Sequence, residues 1–285
     1  MSAPERVAFV TGASRGIGKA CAVELAKVGY DVAVSARTVA EGEEREHSST
    51  VKKSDTRPLP GSLATTAELI EAEGRQALPV AADLTDRSTL TAAAATVLDQ
   101  WGHVDVLVNN GRYIGPGHMD RLLDTPIELL ERHLEANALA PLVLIQALLP
   151  QMVERGSGLI INMTSDVAWS DPPAAAGEGG WGLGYAMSKG ALHRVVGVLA
   201  HEVAGTGVHV VNVSPGFVAT ERMVIDMAEF GFDASMGATP TSVGVVVAWL
   251  ATDDSAAAHH GLTVAAQELG PELGLELGLE LGLDT

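Results

Sequence analysis

The chain has 285 residues, of which 47% are hydrophobic, enough for a sizeable core and too many for a chain disordered throughout. A formal net charge of −18 argues against nucleic acid and anionic membranes, which call for clustered Lys and Arg; the default reading is a well-solvated acidic surface. Cys21 is the sole cysteine, so no internal disulfide forms; with no apolar N-terminal signal and no run of about 18 apolar residues, a cytoplasmic chain without a membrane span is expected.

In chain order, Arg6–Val10 reads as a strand and residues 11–18 (TGASRGIG) as a glycine loop. Ile17, Cys21, Leu25 and Val28 form a helical stripe that Gly29 ends, with Cys21 as a small buried apolar group. Asp31–Ser35 is the second strand. Residues 38–64 are polar and carry Pro58, Pro60 and Gly61, which predicts a surface excursion. A helix at 65–73 and a strand at 77–81 resume the rhythm, and further strands are expected at 104–109, 159–163 and 208–213 with helices between them. Such alternation predicts right-handed crossovers and one α/β domain, a doubly wound parallel sheet with helices on both faces, over residues 1–267. In residues 268–285, Glu268, Glu272, Glu276 and Glu280 recur with a glycine every four residues. Like charges at i,i+4 and repeated glycine disfavour a helix, so an acidic tail is expected, either mobile or with its leucines on a partner subunit.

Gly12, Gly16 and Gly18 follow the spacing G-x3-G-x-G between strand and helix, where free N–H groups and tight backbone approach suit a pyrophosphate. A purely structural loop is the alternative. The second strand ends Ser35-Ala36-Arg37 with no acid to hold a ribose 2′-hydroxyl, and Arg15 lies in the glycine loop. Two guanidiniums favour the 2′-phosphate of NADP(H), leaving NAD(H) possible, unless both arginines are merely solvated.

Tyr185 and Lys189 are four apart at the start of a helix, hence on one face. A free tyrosine titrates near about 10, and a neighbouring cation favours its anion, so such a pair can exchange a proton with a carbonyl or alcohol oxygen.

Taken together, these motifs resemble the short-chain dehydrogenase/reductase family. The loop matches TG-x3-G-x-G, and DLT at 83–85 makes Asp83 the residue near adenine. Asn109 and Asn110 match the NN motif; Asn137 in EANALAP matches the asparagine that supports a proton-relay water. Ser165 after INMT matches the serine on the substrate oxygen, followed by Tyr185 and Lys189, and Pro215 and Gly216 in SPGFVAT open the loop beside the nicotinamide. The resemblance implies a Rossmann-type fold with Asn137, Ser165, Tyr185 and Lys189 as catalytic residues. The cofactor residues it implies are Gly12, Ser14, Arg15, Gly16, Ile17 and Gly18, then Arg37, Asp83, Leu84, Asn109 and Gly111. Tyr185, Lys189, Pro215, Gly216, Val218 and Thr220 complete that set. Residues 59–86 are also similar to the hydroxysteroid dehydrogenase-like subgroup, which does not itself name a steroid.

Three features depart from the family pattern. Gly111 and Arg112 stand where NNAG is usual, and Arg112 either meets an acidic substrate group or points to solvent. The Pro- and Gly-rich stretch between Ser165 and Tyr185 is long, which leaves Thr164 and Ser165 as alternatives for the substrate contact. The last strand near GLTVAAQEL lacks the usual ending. The nine histidines show no metal-ligand spacing, so no metal is expected.

The function implied is an oxidoreductase moving a hydride between NADP(H) and a carbonyl or secondary alcohol. A non-enzymatic NAD(P)-binding redox-sensing module is the alternative, and a homo-oligomer, tetramer or dimer, is implied. The family lid falls on residues 217–240, where Phe217, Met223, Met227, Phe230, Phe232 and Met236 gather; Trp169 and Trp181 flank the other side. These predict an apolar substrate, or else cover the core or an interface.

Overall fold

The computed structural model describes residues 4–224 and 237–275. Met227, Phe230, Phe232 and Met236 of the expected lid, and the tail beyond Leu275, lie outside the described residues.

Seven parallel strands build one sheet: β1 (Val7–Thr11), β2 (Asp31–Ala36), β3 (Ala77–Ala81), β4 (Val106–Asn109), β5 (Gly158–Met163), β6 (Val208–Ser214) and β7 (Thr263–Ala265). Their order is β3-β2-β1-β4-β5-β6-β7. The order reverses between β1 and β4, and a crevice opens there at the carboxyl ends, the usual ligand position in such sheets. β1 is buried along its length because both faces are covered. Ala8 and Val10 join one core with Cys21 and Leu25, while Val7 and Phe9 join the opposite core with Leu144 and Leu148.

The first core is closed by α1 (Gly16–Lys27) and α7 (Pro240–Thr252), with α2 (Leu63–Ala72) beside them. The second is closed by α3 (Arg87–Trp101), α5 (Ala140–Arg155) and α6 (Leu183–Glu202). α4 (Ile127–Leu134) runs into α5 through a π-helical turn, Glu135–Leu139. The joined helix Ile127–Arg155 is long and apolar enough to cross a membrane by composition, yet half of its apolar window is buried inside the domain.

The excursion expected at 38–64 is exposed over residues 39–42, 44–45, 51–54, 56–58 and 60, and its last two residues already belong to α2. It runs as a strap along the crevice, with Thr38, His47, Ser48, Ser49 and Leu59 buried. Asp120 receives hydrogen bonds from Thr50 Oγ1 (2.5 Å) and Val51 N (2.9 Å), and Arg222 donates to His47 O (2.8 Å) and Ser49 Oγ (2.9 Å). The start of the expected tail is also ordered: α8 (Ala266–Glu272) includes Glu268 and Glu272, and Leu269 and Leu275 pack on the first core. Only two of the periodic glutamates fall within this short helix, so the like-charge argument has little weight there.

Candidate active site

The glycine loop is fixed by close backbone approach. A Cβ on Gly18 would sit 2.3 Å from Gly12 O, and one on Gly12, at φ +64°, would sit 2.6 Å from Gly111 Cα. Thr66 Oγ1 donates to Ala13 O (2.8 Å), and Asn110 Nδ2 donates to Thr11 O (2.9 Å), so α2 and the end of β4 hold the loop's shape. The loop residues Gly12, Ser14, Arg15, Gly16 and Ile17 line one wall of an elongated cleft. The cleft passes Arg37, Asp83 and Leu84 at one end and reaches Tyr185 and Lys189 at the other, with Pro215 and Thr220 above. A cradle of glycine backbone leading into a cleft of this length fits a dinucleotide.

At the Tyr185 end, Lys189 is buried and its Nζ donates to Met163 O (2.6 Å). Burial and the neighbouring Arg112 guanidinium bring this ammonium down to about 7. Asn137 is wholly buried in the π turn, a distortion frequent at functional sites. Its Oδ1 accepts from Tyr113 N (2.5 Å), and its Nδ2 donates to Ser188 Oγ (2.9 Å). Ser188 Oγ in turn donates to Tyr185 O (3.0 Å). Asn137 thereby locks the loop after β4 to the first turns of α6, one layer behind the cleft wall that Ala136 forms.

Other expected residues take different places. Ser165 Oγ donates to Asp166 Oδ1 (3.0 Å) and stands off the wall, whereas buried Thr164 lines it. Asn109 is inside the sheet, bonded through Nδ2 to Asn162 Oδ1 (2.9 Å), and Asn110 and Gly111 reach the cleft instead. Arg15 lines the cleft, but its guanidinium is spent on the strap carbonyls of Pro60 (2.9 Å), Leu59 (3.3 Å) and Gly61 (2.7 Å). Asp83 lines the cleft while accepting from Thr85 N and Oγ1, both at 2.8 Å. Gly216 and Val218 lie behind Pro215 in a loop that Gln267 Nε2 clasps through Pro215 O (2.8 Å) and Phe217 O (2.9 Å). Among the described residues, Trp169, Trp181, Phe217 and Met223 do not line the cleft; its apolar wall is Tyr113, Ile114, Ala136 and Met163.

Sequence reasoning missed several participants. Arg45 and Arg57 of the strap line the cleft beside Arg37, as do Glu43 and Glu46. Glu221 accepts from Gly16 N (2.9 Å) and Lys19 Nζ (2.7 Å) at the start of α1. Burial pushes the Glu221 carboxyl up, but the Lys19 and backbone hydrogen bonds outweigh it and hold the group below its ordinary range. His118 packs on the Tyr185 ring with centroids 4.4 Å apart, and burial with nearby Arg112 keeps it neutral, well below the ordinary histidine range. Burial likewise brings His133 down to about 4. No single-residue pattern in the sequence marks these, because each depends on contacts between distant segments. Cys21 is remote from the cleft; burial pushes its thiol up to about 12, so it is no nucleophile. Among the described residues no group of His, Cys, Asp and Glu is assembled to hold a metal ion.

The short chain dehydrogenase family model matches residues 6–65 and 57–228. A short chain dehydrogenase of Pseudocercospora fijiensis is 34% identical over 219 residues, covering 76% of this chain and 60% of that protein. Dehydrogenase/reductase SDR family member 7B of Danio rerio is 32% identical over 220 residues, covering 77% and 63%. The chain therefore spans less than two thirds of the length of these two relatives. A 3-oxoacyl-(acyl-carrier-protein) reductase of Synechocystis is 31% identical over 268 residues, covering 90% of this chain and 94% of that one. A crystal structure described as that of a short-chain alcohol dehydrogenase from Sinorhizobium meliloti 1021 superposes with a TM-score of 0.73 at 28% identity, covering 92% of this chain and 95% of that chain.

Proposed function

Because the chain belongs to the short-chain dehydrogenase family, we propose that it is an NADP(H)-dependent oxidoreductase that interconverts a carbonyl and a secondary alcohol. The observation that carries this reading is the joint placement of Tyr185 and Lys189 on one helical turn at the end of a glycine-lined cleft. The glycine loop would hold the pyrophosphate, and Asp83 and Leu84 the adenine end. Arg37, with Arg45 and Arg57 beside it and no carboxylate at the end of β2, suits a 2′-phosphate. Glu43 and Glu46 also face this end, and Glu43 pairs with Arg45 at 2.6 Å, so Arg37 is the main determinant.

When bound, the cofactor supplies or receives the hydride. In the reducing direction Tyr185 gives its hydroxyl proton to the carbonyl oxygen as the hydride reaches the carbon; in the oxidising direction it takes that proton back. Lys189 stands behind the tyrosine as its cation and as a donor into the cleft. Of the two residues that could orient the substrate oxygen, Thr164 lines the cleft, with its Oγ1 3.5 Å from His193 Nδ1, and Ser165 Oγ donates to Asp166. Ile114, Ala136 and Met163 give the substrate body an apolar seat.

The test is turnover of a carbonyl panel with NADPH and NADH. NADPH should give the higher kcat/KM, and Arg37→Asp should reverse the preference. Tyr185→Phe should lose most of kcat, about 100-fold or more for a lost proton donor, while NADPH binding stays near that of the unmutated protein. Full activity in Tyr185→Phe would overturn the assignment, and equal use of both nucleotides would overturn the NADP(H) preference.

A further inference from the structure

Arg112 stands where the family pattern has glycine, and it does not point to solvent. Its Cζ lies 5.6 Å from the centroid of the Tyr185 ring, and its side chain lines the cleft with Tyr185 and Lys189. It donates to the carbonyl of its own neighbour, Tyr113 O (3.2 Å), and among the described residues no carboxylate pairs with it. A partly buried guanidinium keeps several donors in a planar fork, and leaving them without an anion is costly.

Among the described residues, its neighbours at this end of the cleft include Tyr185, Lys189 and two histidines. His118, packed on Tyr185, is neutral, and its buried Nδ1 has no hydrogen-bond partner. His133 stacks beside it with centroids 6.3 Å apart. The Arg112 charge is felt at both histidines and at Lys189, each of which it makes harder to protonate. Among the described residues, Arg112 thus supplies the fixed positive charge at the reacting end of the cleft.

We propose that Arg112 anchors a carboxylate of the substrate, so that the preferred carbonyl compounds are oxo acids with the carboxylate one or two carbons from the carbonyl. The inference rests on the oxidoreductase reading and deepens it. A carbonyl oxygen hydrogen-bonded to the Tyr185 hydroxyl at about 2.7 Å places the adjoining carbons against the ring that Arg112 overhangs. A carboxylate there receives a bidentate, charge-assisted pair. The pair fixes which face and which carbon of the substrate meet the hydride, so Arg112 sets both selectivity and alignment. The apolar wall of Ile114 and Met163 takes the rest of the molecule, which makes an oxo acid with an apolar body the best fit.

The experiment compares phenylpyruvate and benzoylacetate with their methyl esters, and measures binding of oxanilate, an unreactive N-aryl oxamate whose amide carbonyl stands beside its carboxylate. The acids should exceed their esters in kcat/KM by about tenfold or more, as expected for a charge-assisted pair. Arg112→Gln should remove that advantage and weaken oxanilate by a similar factor. Because removing Arg112 also eases protonation of Lys189 for every substrate, the readouts are the acid-to-ester ratio and oxanilate binding against NADPH binding, and Arg112→Lys should recover part of the loss. Esters that match or beat the acids, or an Arg112→Gln variant that loses NADPH as strongly as oxanilate, would overturn the proposal. A protein that turns over no carbonyl defeats the oxidoreductase reading instead, while oxanilate binding that depends on Arg112 still upholds the anchor.

Discussion

Lys189 carries the sharpest conflict between burial and charge. Its folded value of about 7 lies below the ordinary 10.5, so between these limits the unfolded chain holds more protons than the folded one. Stability from this group therefore rises with pH across that window, and below it the buried ammonium exacts its full penalty. Lys189→Met removes the penalty. The stability of the variant relative to the unmutated protein should be most favourable near pH 6 and fall by about 3–5 kcal/mol by pH 10.5. Urea unfolding at the two pH values measures this, and a difference independent of pH would show that the ammonium is not titrating in the window. The same residue should be needed for turnover, since the cation that is costly to bury is the one that serves Tyr185. Residue by residue, the sequence disclosed which chemistry was present better than where each atom would point. Tyr185 and Lys189 were legible because helical spacing alone puts them on one face. Arg15, Ser165 and Asn109 were less so, because their side chains are claimed by Pro60 O, Asp166 and Asn162, partners that no local pattern announces.

The strap over residues 38–62 shows what an element can gain from distant contacts. Its composition predicts a surface excursion, and it has no regular ladder. Glu46 accepts from Ser48 N and Asp55 N within the strap, and Ser48 Oγ donates to Thr50 O and Lys53 O. Ties from outside include Asp120, which is buried and accepts from Thr50 Oγ1, Val51 N and also Gly117 N (2.9 Å). Asp120→Ala leaves those three donors facing an empty site, at a cost of about 2–4 kcal/mol. Because the loss is local, trypsin cleavage after Lys52 or Lys53, both exposed, should accelerate about tenfold or more while the sheet persists. Unchanged cleavage would mean that Arg222 and Arg15 hold the strap without Asp120. By contrast, every strand from β1 to β6 was legible to within about two residues: β1, β2, β4, β5 and β6 are apolar runs buried on both faces, and β3, a partly buried edge strand, follows a helix that stops before Gly74. β7, at the sheet edge and three residues long, is where that signal fades.

At the scale of the whole molecule, α8 closes on the loop beside the cleft. α8 carries Gln267 to the loop after β6 and Leu269 to the core beneath α7. A chain ending at Ala265 should lose about 2–4 kcal/mol of stability from the lost apolar burial and hydrogen bonds. Its KM for the cofactor should also rise, since Pro215 loses its clasp; a chain ending at Leu275 should keep both properties. Equal unfolding midpoints and KM values for the two truncations would refute the role given to α8. A second long-range closure joins Glu221 to Gly16, 205 positions apart. The N-terminus of α1, which suits a phosphate, already holds a carboxylate that Lys19 also grips. A phosphate docking there must first evict an anion, so entry is an exchange and its net affinity is a difference between two similar attractions. The side chain to be displaced adjoins Arg222, whose guanidinium donates to His47 O and Ser49 Oγ, so the phosphate site and the strap over the cleft are tied to neighbouring residues of one turn.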